Sequence, residues 1–201
     1  MKPFTIDPVQ DSEIAHLWCL ALQGDKNSFQ KLLECTYDLM FQYGQKFNHD
    51  SELFKDAIQD VFLEILEKRT SINSNIPPKP YLLASLRRRL HRLGQRQRWL
   101  FSGEPVAEVM EFDVEFSAEH YFIQSEKTRD MAEQMATLMQ ELPKRQKEVI
   151  YLRFFQDLDR DEIAYMMDIQ PQSVSNLLQT AFKWLKTQWK PIISLLPFIF
   201  C

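Results

Sequence analysis

The sequence predicts an all-α fold, two small helical domains joined by an acidic linker, the C-terminal one a helix-turn-helix. Three observations carry that expectation. Apolar residues recur at three- and four-residue steps through most of the chain, the period of an amphipathic helix. Only 4 of the 201 residues are Gly, where average usage gives roughly 14. These four, Gly24, Gly44, Gly94 and Gly103, share no motif, which excludes a dinucleotide fingerprint, a phosphate loop and a glycine-turned β architecture. Hydrophobic content of 45% with 15 Phe supplies a core and argues against general disorder.

Asp11 to Asn48 reads as two helices, one striped by Ile14, Leu17, Trp18 and Ala21, the next by Phe29, Leu32, Leu33, Tyr37, Met40, Phe41 and Phe47. Gln23-Gly24-Asp25 breaks them, with Ser28 as the expected cap of the second. A third helix builds one wide buried face from Leu53, Phe54, Ala57, Ile58, Val61, Phe62, Ile65 and Leu66. Thr70 to Pro80 is a loop by its Asn, Ser and Pro content. From Tyr81 a helix turns Leu82, Leu83, Leu86, Leu90 and Leu93 inward, and arginines fill most of its remaining circumference. Phe101 to Ser125 has weak periodicity and reads as a linker. Met131, Met135, Leu138 and Leu142 mark a helix ending at Pro143, and Lys144 to about Phe155 marks the next. Asp159 and Glu162 fit a capping box on a short helix through Met166, with Ile163 and Ala164 inward. Asp168-Ile169-Gln170 turns the chain. Pro171 opens a final helix that buries Val174, Leu177, Leu178, Ala181 and Leu185.

The formal net charge of −4 hides a strong segregation. Residues 70–103 hold Lys79, Arg87, Arg88, Arg89, Arg92, Arg96 and Arg98 and no acid. Residues 104–126 hold seven acids and no base. Screening limits electrostatics to about 8–10 Å at ordinary salt, so a polyanion responds to the local patch rather than the total. The acidic segment is a candidate shield for the basic helix. The three cysteines form no CxxC pair, which suits a reducing compartment and mostly buried thiols. His16 and Cys19 lack the two further ligands of a structural zinc site. The amino terminus carries Asp7 and two prolines, unlike a signal peptide, and the apolar run Ile192–Cys201 is shorter than a membrane span. The expectation is a soluble, cytoplasmic protein without cofactor or metal. The four His are scattered with no Ser/His or Cys/His spacing, so no enzymatic site is expected.

Two short helices around a tight turn, a small Ala in the first and Ile169 in the turn, describe a helix-turn-helix. Its outward positions are Gln172, Ser173, Ser175, Asn176, Gln179, Thr180 and Lys183, whose amides, hydroxyls and ammonium suit base edges and phosphates. The bland alternative is a plain helical bundle. Six Arg in the twelve residues Arg87–Arg98, followed by Trp99, can neutralise phosphates while an aromatic stacks. There the alternative is a solvated face or one folded onto the acidic linker.

The order of these pieces resembles the bacterial RNA polymerase sigma factors of the extracytoplasmic-function group. Asp56-Ala57-Ile58-Gln59-Asp60-Val61-Phe62-Leu63-Glu64 resembles the polymerase-binding helix of their second region, and Pro80 to Leu90 the promoter-melting helix that follows. Leu142 to Ile150, Asp161-Glu162-Ile163-Ala164 and Gln172 to Leu178 resemble their fourth region. The resemblance implies a region 2-like domain over residues 1–100, an acidic linker over 101–128, a region 4-like helix-turn-helix domain over 129–190 and an apolar tail over 191–201. It implies core RNA polymerase and promoter DNA as partners. Asp56, Gln59, Asp60, Leu63 and Glu64 would meet polymerase. Asn73, Asn75 and Lys79 would hold a flipped base of the −10 element, Arg87, Arg88, Arg89, Arg92 and Arg96 the backbone, and Gln172 to Lys183 the −35 element. Two departures stand out. Arg88 sits where many relatives carry Asn, and Ser175, Leu177, Thr180 and Phe182 sit where relatives are often basic. Each cation missing from the phosphate backbone flattens the salt slope by about 0.9, so weak −35 binding by this domain alone is expected. The rival readings are a one-component regulator binding an operator as a dimer, and a protein-interaction module that reads no DNA. The apolar tail packs on its own domain or, as the lesser alternative, meets an anti-sigma protein.

Overall fold

A computed structural model of the chain describes residues 8–47, 51–102, 112, 114 and 126–189, with backbone alone for 8–10, 96–102 and 126–130. All regular structure among the described residues is helical. The elements are α1 (Pro8–Leu22), α2 (Lys26–Gly44), α3 (Ser51–Lys68), a 3₁₀ turn (Arg69–Ser71), α4 (Pro78–Ser102), α5 (Glu126–Gln140), α6 (Lys144–Phe154), α7 (Arg160–Met167) and α8 (Pro171–Gln188).

The first four helices form one bundle. Gly24 turns the chain at φ +100° between α1 and α2, a conformation that costs a residue without Cβ little. The cap of α2 is Asp25, not the expected Ser28. Its carboxylate accepts from the amides of Asn27 (3.4 Å) and Ser28 (3.0 Å), and Ser28 is buried beneath it. An acceptor one turn earlier reaches the free amides that a serine already inside the helix cannot. Ile14, Trp18, Leu32, Met40, Phe54, Ala57, Ile58, Val61, Leu82, Leu86 and Leu90 are the centre of this bundle. Aromatic edges tie its helices: Phe29 to Phe62 at 5.7 Å, Phe41 to Phe54 at 6.2 Å and Trp18 to Tyr81 at 5.1 Å between centroids. Gly44 lets α2 close on α3, since a Cβ there would lie 3.3 Å from the Phe54 ring. Leu66, expected inside, is 39% exposed.

Helix α4 begins three residues before the expected Tyr81, at Pro78. Prolines at positions 78 and 80 sit in the first turn, where amides have no intrahelical acceptor and the fixed φ is already helical. Proline content therefore marks the helix start as much as the loop. The helix also runs on to Ser102, into residues expected to be linker.

Helices α6, α7 and α8 form the second unit, closed by Val149, Leu152, Ile163, Val174 and Ala181, with α5 against α8. Cys19 and Cys35 are exposed, contrary to the expected buried thiols. Each lies on the outer side of its helix, a sequence step from the buried Trp18 and from the buried Thr36. The described residues contain no cluster of three or more metal-ligating side chains and no helix long and apolar enough to cross a membrane. The seven acids of 104–126, the tail 191–201 and Cys201 lie outside the described residues, apart from the backbone of Glu126.

Asp159 caps α7 as expected: its carboxylate accepts from the amides of Asp161 and Glu162, both at 2.8 Å, and Glu162 returns to the Asp159 amide at 2.8 Å. Asp159→Ala is expected to cost about 1 kcal/mol in urea unfolding, and Asp159→Asn well under half of that.

Candidate nucleic-acid interface and the junction it shares

The helix-turn-helix is set by local chemistry. After the capping box starts α7, Asp168 takes a left-handed conformation (φ 55°, ψ 50°) and ends the helix. Gln170 is extended and Pro171 occupies the first turn of α8. Ile163, Ala164, Met166 and Met167 are buried beneath the crossing, and Ile169 packs against the same core. That arrangement leaves Gln172, Asn176, Gln179, Thr180 and Lys183 exposed along one side of α8, with Ser173 and Ser175 half-buried. The Gln172 amide donates to Asn176 at 3.0 Å, so two expected base-reading groups lie side by side. Phe182, on the same helix, is 45% exposed and meets Phe154 edge-on at 5.7 Å.

On the first unit, Asp56, Gln59 and Leu63 are exposed on α3, Leu63 at 48%. Glu64 is half-buried and paired with Lys68 at 2.7 Å, and that hydrogen-bonded ammonium holds its carboxyl below the usual range. Asp60 pairs with Arg89 of α4, so an expected polymerase contact and an expected DNA contact bind each other. Asn73 and Asn75 are exposed in the loop before α4, where the Asn73 side chain accepts from the Asn75 amide at 3.0 Å. Arg88 and Arg92 face solvent. The side chain of Arg96 lies outside the described residues.

Arg87 and Lys79 are placed differently. Both point into a junction where the second unit packs on the first, α7 against α4. The Arg87 guanidinium grips Glu148 of α6 through two bonds, Nε to Oε1 at 2.8 Å and Nη2 to Oε2 at 3.2 Å. The Tyr43 hydroxyl donates to the same Oε1 at 2.9 Å. Tyr43 is fully buried, and Glu148 is 2% exposed. Burial and then the neighbouring carboxylate push the Tyr43 phenol well above its ordinary range, so it stays a donor. The Lys79 ammonium donates to the Gln156 carbonyl at 2.5 Å. Burial lowers its affinity for a proton, and Asp11, Asp157 and Glu162 act in the opposite direction. Lys79 and these three acids also line a cavity of about 370 Å³ along the junction, together with Trp18 and Pro78.

Aromatic packing closes the rest. Phe112, from the segment between the units, has ring centroids at 5.4 Å from Phe47, 6.1 Å from Tyr43 and 5.5 Å from Tyr151. The Val114 carbonyl accepts from Gln140 at 2.9 Å. What meets the basic helix in the described residues is thus Glu148 and Asp60. The expected shielding acids lie outside them. Tyr43, Glu148 and Gln156 were not marked as site residues by their sequence. Glu148 does share a helical face with Tyr151, Leu152 and Phe155, which is the one sequence signal that it turns inward.

The comparisons with known proteins bear on both units. Residues 132–185 match the family model "Sigma-70, region 4". The structure of CnrH in complex with the cytosolic domain of CnrY is similar over 88% of this chain and 96% of that one, with a TM-score of 0.56 and 15% identity. The sigma factor RpoE from Bartonella quintana, in complex with the anti-sigma factor NepR, is similar over 79% and 94%, with a TM-score of 0.53 and 14% identity. At such identities the likeness is one of fold. No curated protein matches the sequence.

The turn of the helix-turn-helix is directly testable. A β-branched side chain at the left-handed Asp168 is strained, whereas glycine adopts that conformation freely. Asp168→Val is expected to lose about 1–2 kcal/mol in denaturant unfolding, and Asp168→Gly to be no less stable than the natural chain.

Proposed function

We propose that this chain, which carries a sigma-70 region 4 domain and belongs by fold with the extracytoplasmic-function sigma factors, binds core RNA polymerase and directs it to promoters. The helix-turn-helix of residues 132–185 carries the reading. In it, α8 enters the major groove of the −35 element, with Gln172, Asn176 and Gln179 toward base edges and Lys183 toward phosphate. Ser173, Ser175 and Thr180 supply hydroxyls near the same backbone.

The first unit takes the other end of the promoter. Its α3 offers polymerase an apolar residue, Leu63, with Asp56 and Gln59 exposed beside it and Asp60 and Glu64 half-buried at the edge, a composition that suits a protein partner. Helix α4 offers Arg87, Arg88, Arg89, Arg92 and Arg96 to the −10 backbone, and Asn73 and Asn75 of the preceding loop with Lys79 of the first turn of α4 are offered to an unstacked base. An unstacked base needs only a ring face and hydrogen-bond partners, which a loop at a helix start provides. Catalysis belongs to polymerase. The factor acts in the cytoplasm with it, and an anti-sigma protein is a further partner, as NepR is for the sigma factor RpoE.

Weak binding by each unit is compatible with this role. Polymerase holds both at a fixed separation, so the second contact forms at high effective concentration. A dimeric operator-binding regulator would instead hold its target tightly without polymerase.

Core polymerase supplied with this chain is expected to start RNA at discrete sites on genomic fragments, and to start at none without it. Leu63→Arg is expected to weaken capture by core polymerase at least about tenfold, since a half-exposed side chain can change without unfolding the helix. Normal capture by that variant, checked by far-ultraviolet circular dichroism for intact fold, removes α3 from the interface. Absence of directed initiation by the natural chain removes the reading itself.

A further inference from the structure

Helix α8 has no Arg, Asp or Glu among its eighteen residues. Its outward stripe is made of amides instead. Gln172, Asn176, Gln179 and Lys183 are all exposed, and at helical period they fall within about 60° of one another around the axis. Val174, Ala181 and Leu185 are buried on the opposite side. From Gln172 to Gln179 the helix rises about 10 Å, the height of about three stacked base pairs. Lys183 and Lys186 lie past Gln179, away from the amino-terminal turns through which a recognition helix meets base edges.

Each base shows the major groove a different set of groups. Adenine presents an acceptor, N7, beside a donor, N6, and a side-chain amide meets both at once with its NH2 and its carbonyl. Guanine presents two acceptors, N7 and O6, which a guanidinium or ammonium satisfies, and cytosine a donor suited to a carboxylate. An amide placed the same way against guanine sets its carbonyl oxygen against O6, and two acceptors face each other.

Asn176 is already held for one of these edges. The Gln172 Nε2 donates to the Asn176 Oδ1 at 3.0 Å, one helical turn away. The Asn176 oxygen keeps a second lone pair for adenine N6, and its NH2 keeps both hydrogens, one of them for N7. A side chain fixed in the free chain loses less rotamer freedom on binding.

We infer that α8 selects adenine. Asn176, positioned by Gln172, and Gln179 each take an adenine edge at neighbouring base pairs of the −35 element, so the promoters served carry adenines there and not guanines. This rests on the placement of α8 in the major groove proposed above. It goes beyond that placement by naming the bases, and by making Gln172 a positioning residue that acts through Asn176.

The test has two arms. In one, core polymerase with the full chain transcribes templates whose upstream element is randomised. In the other, the full chain alone retains duplexes from a randomised library at low salt. Sequencing gives the base preference at each position. Two neighbouring positions are expected to favour adenine over guanine about tenfold each. Asn176→Arg is expected to turn one of them to guanine and leave the other, and Gln179→Arg to do the converse. Gln172→Ala is expected to flatten the adenine preference at the Asn176 position, whereas loss of a merely structural residue weakens all sequences alike. Lys183→Ala, which removes a phosphate contact, is expected to weaken all sequences alike. All four side chains are exposed, so the variants are expected to keep the fold, as circular dichroism checks. A guanine preference of the natural chain at these positions overturns the inference, and so does an unchanged preference in both arginine variants. An effect of Gln172→Ala spread evenly over all positions overturns the positioning of Asn176. Initiation at discrete sites without adenine selection defeats the inference alone. Adenine-selective binding by the chain without directed initiation by polymerase defeats the functional reading alone.

Discussion

A carboxylate removed from water must be paired, and Glu148 is paired only while the two helical units touch. Its partners are Arg87 of α4 and Tyr43 of α2, some sixty and a hundred residues earlier in the chain. That acceptor ties α6 to both α2 and α4. Helix α7 lies on α4, Tyr43 and Tyr151 stack across the seam at 6.4 Å, and Phe112 fills the angle between them. Buried residues of both units join in one apolar cluster, so the junction combines hydrophobic burial with the pairing of Glu148.

Under the proposed reading, a factor with two DNA surfaces gains from units that meet partly through polar groups, which regain water when they part. Where α3 meets α4 the same economy recurs, since Asp60 and Arg89 satisfy each other. Under the proposed reading, a polymerase surface that engages Asp60 frees Arg89 for phosphate. Polymerase binding and DNA binding are then linked through side chains that cannot serve both partners at once, and linkage of this kind is reciprocal.

Much of the fold was legible in the sequence because helices announce themselves locally. The faces of α3 and α4, the capping box at Asp159 and Glu162, the turn at Asp168 and the proline start of α8 all depend on neighbours three or four residues away. The misreadings were of the same local kind. Asp25 rather than Ser28 caps α2, because the acceptor must lie outside the helix whose amides it satisfies. Pro78 and Pro80 begin α4 instead of ending the loop before it. The candidate site was half legible: the outward side of α8 and the exposed positions of α3 follow from periodicity. That Arg87 and Lys79 would face another unit did not, because nothing local to α4 indicates that Glu148 and the Gln156 carbonyl approach it from the far end of the chain. Composition showed a basic helix next to an acidic segment; those acids lie outside the described residues, and the partner seen at Arg87 is Glu148.

The distance between the units tests the account most directly. Fluorophores on the exposed Cys35 of α2 and on a cysteine introduced by Lys186→Cys in α8, with Cys19→Ser and Cys201→Ser, report it by energy transfer. One short separation is predicted for the free chain and a clearly longer one in complex with core polymerase and promoter DNA. The same short separation in both states would contradict the account, because a chain that reaches both promoter elements cannot remain folded on Glu148.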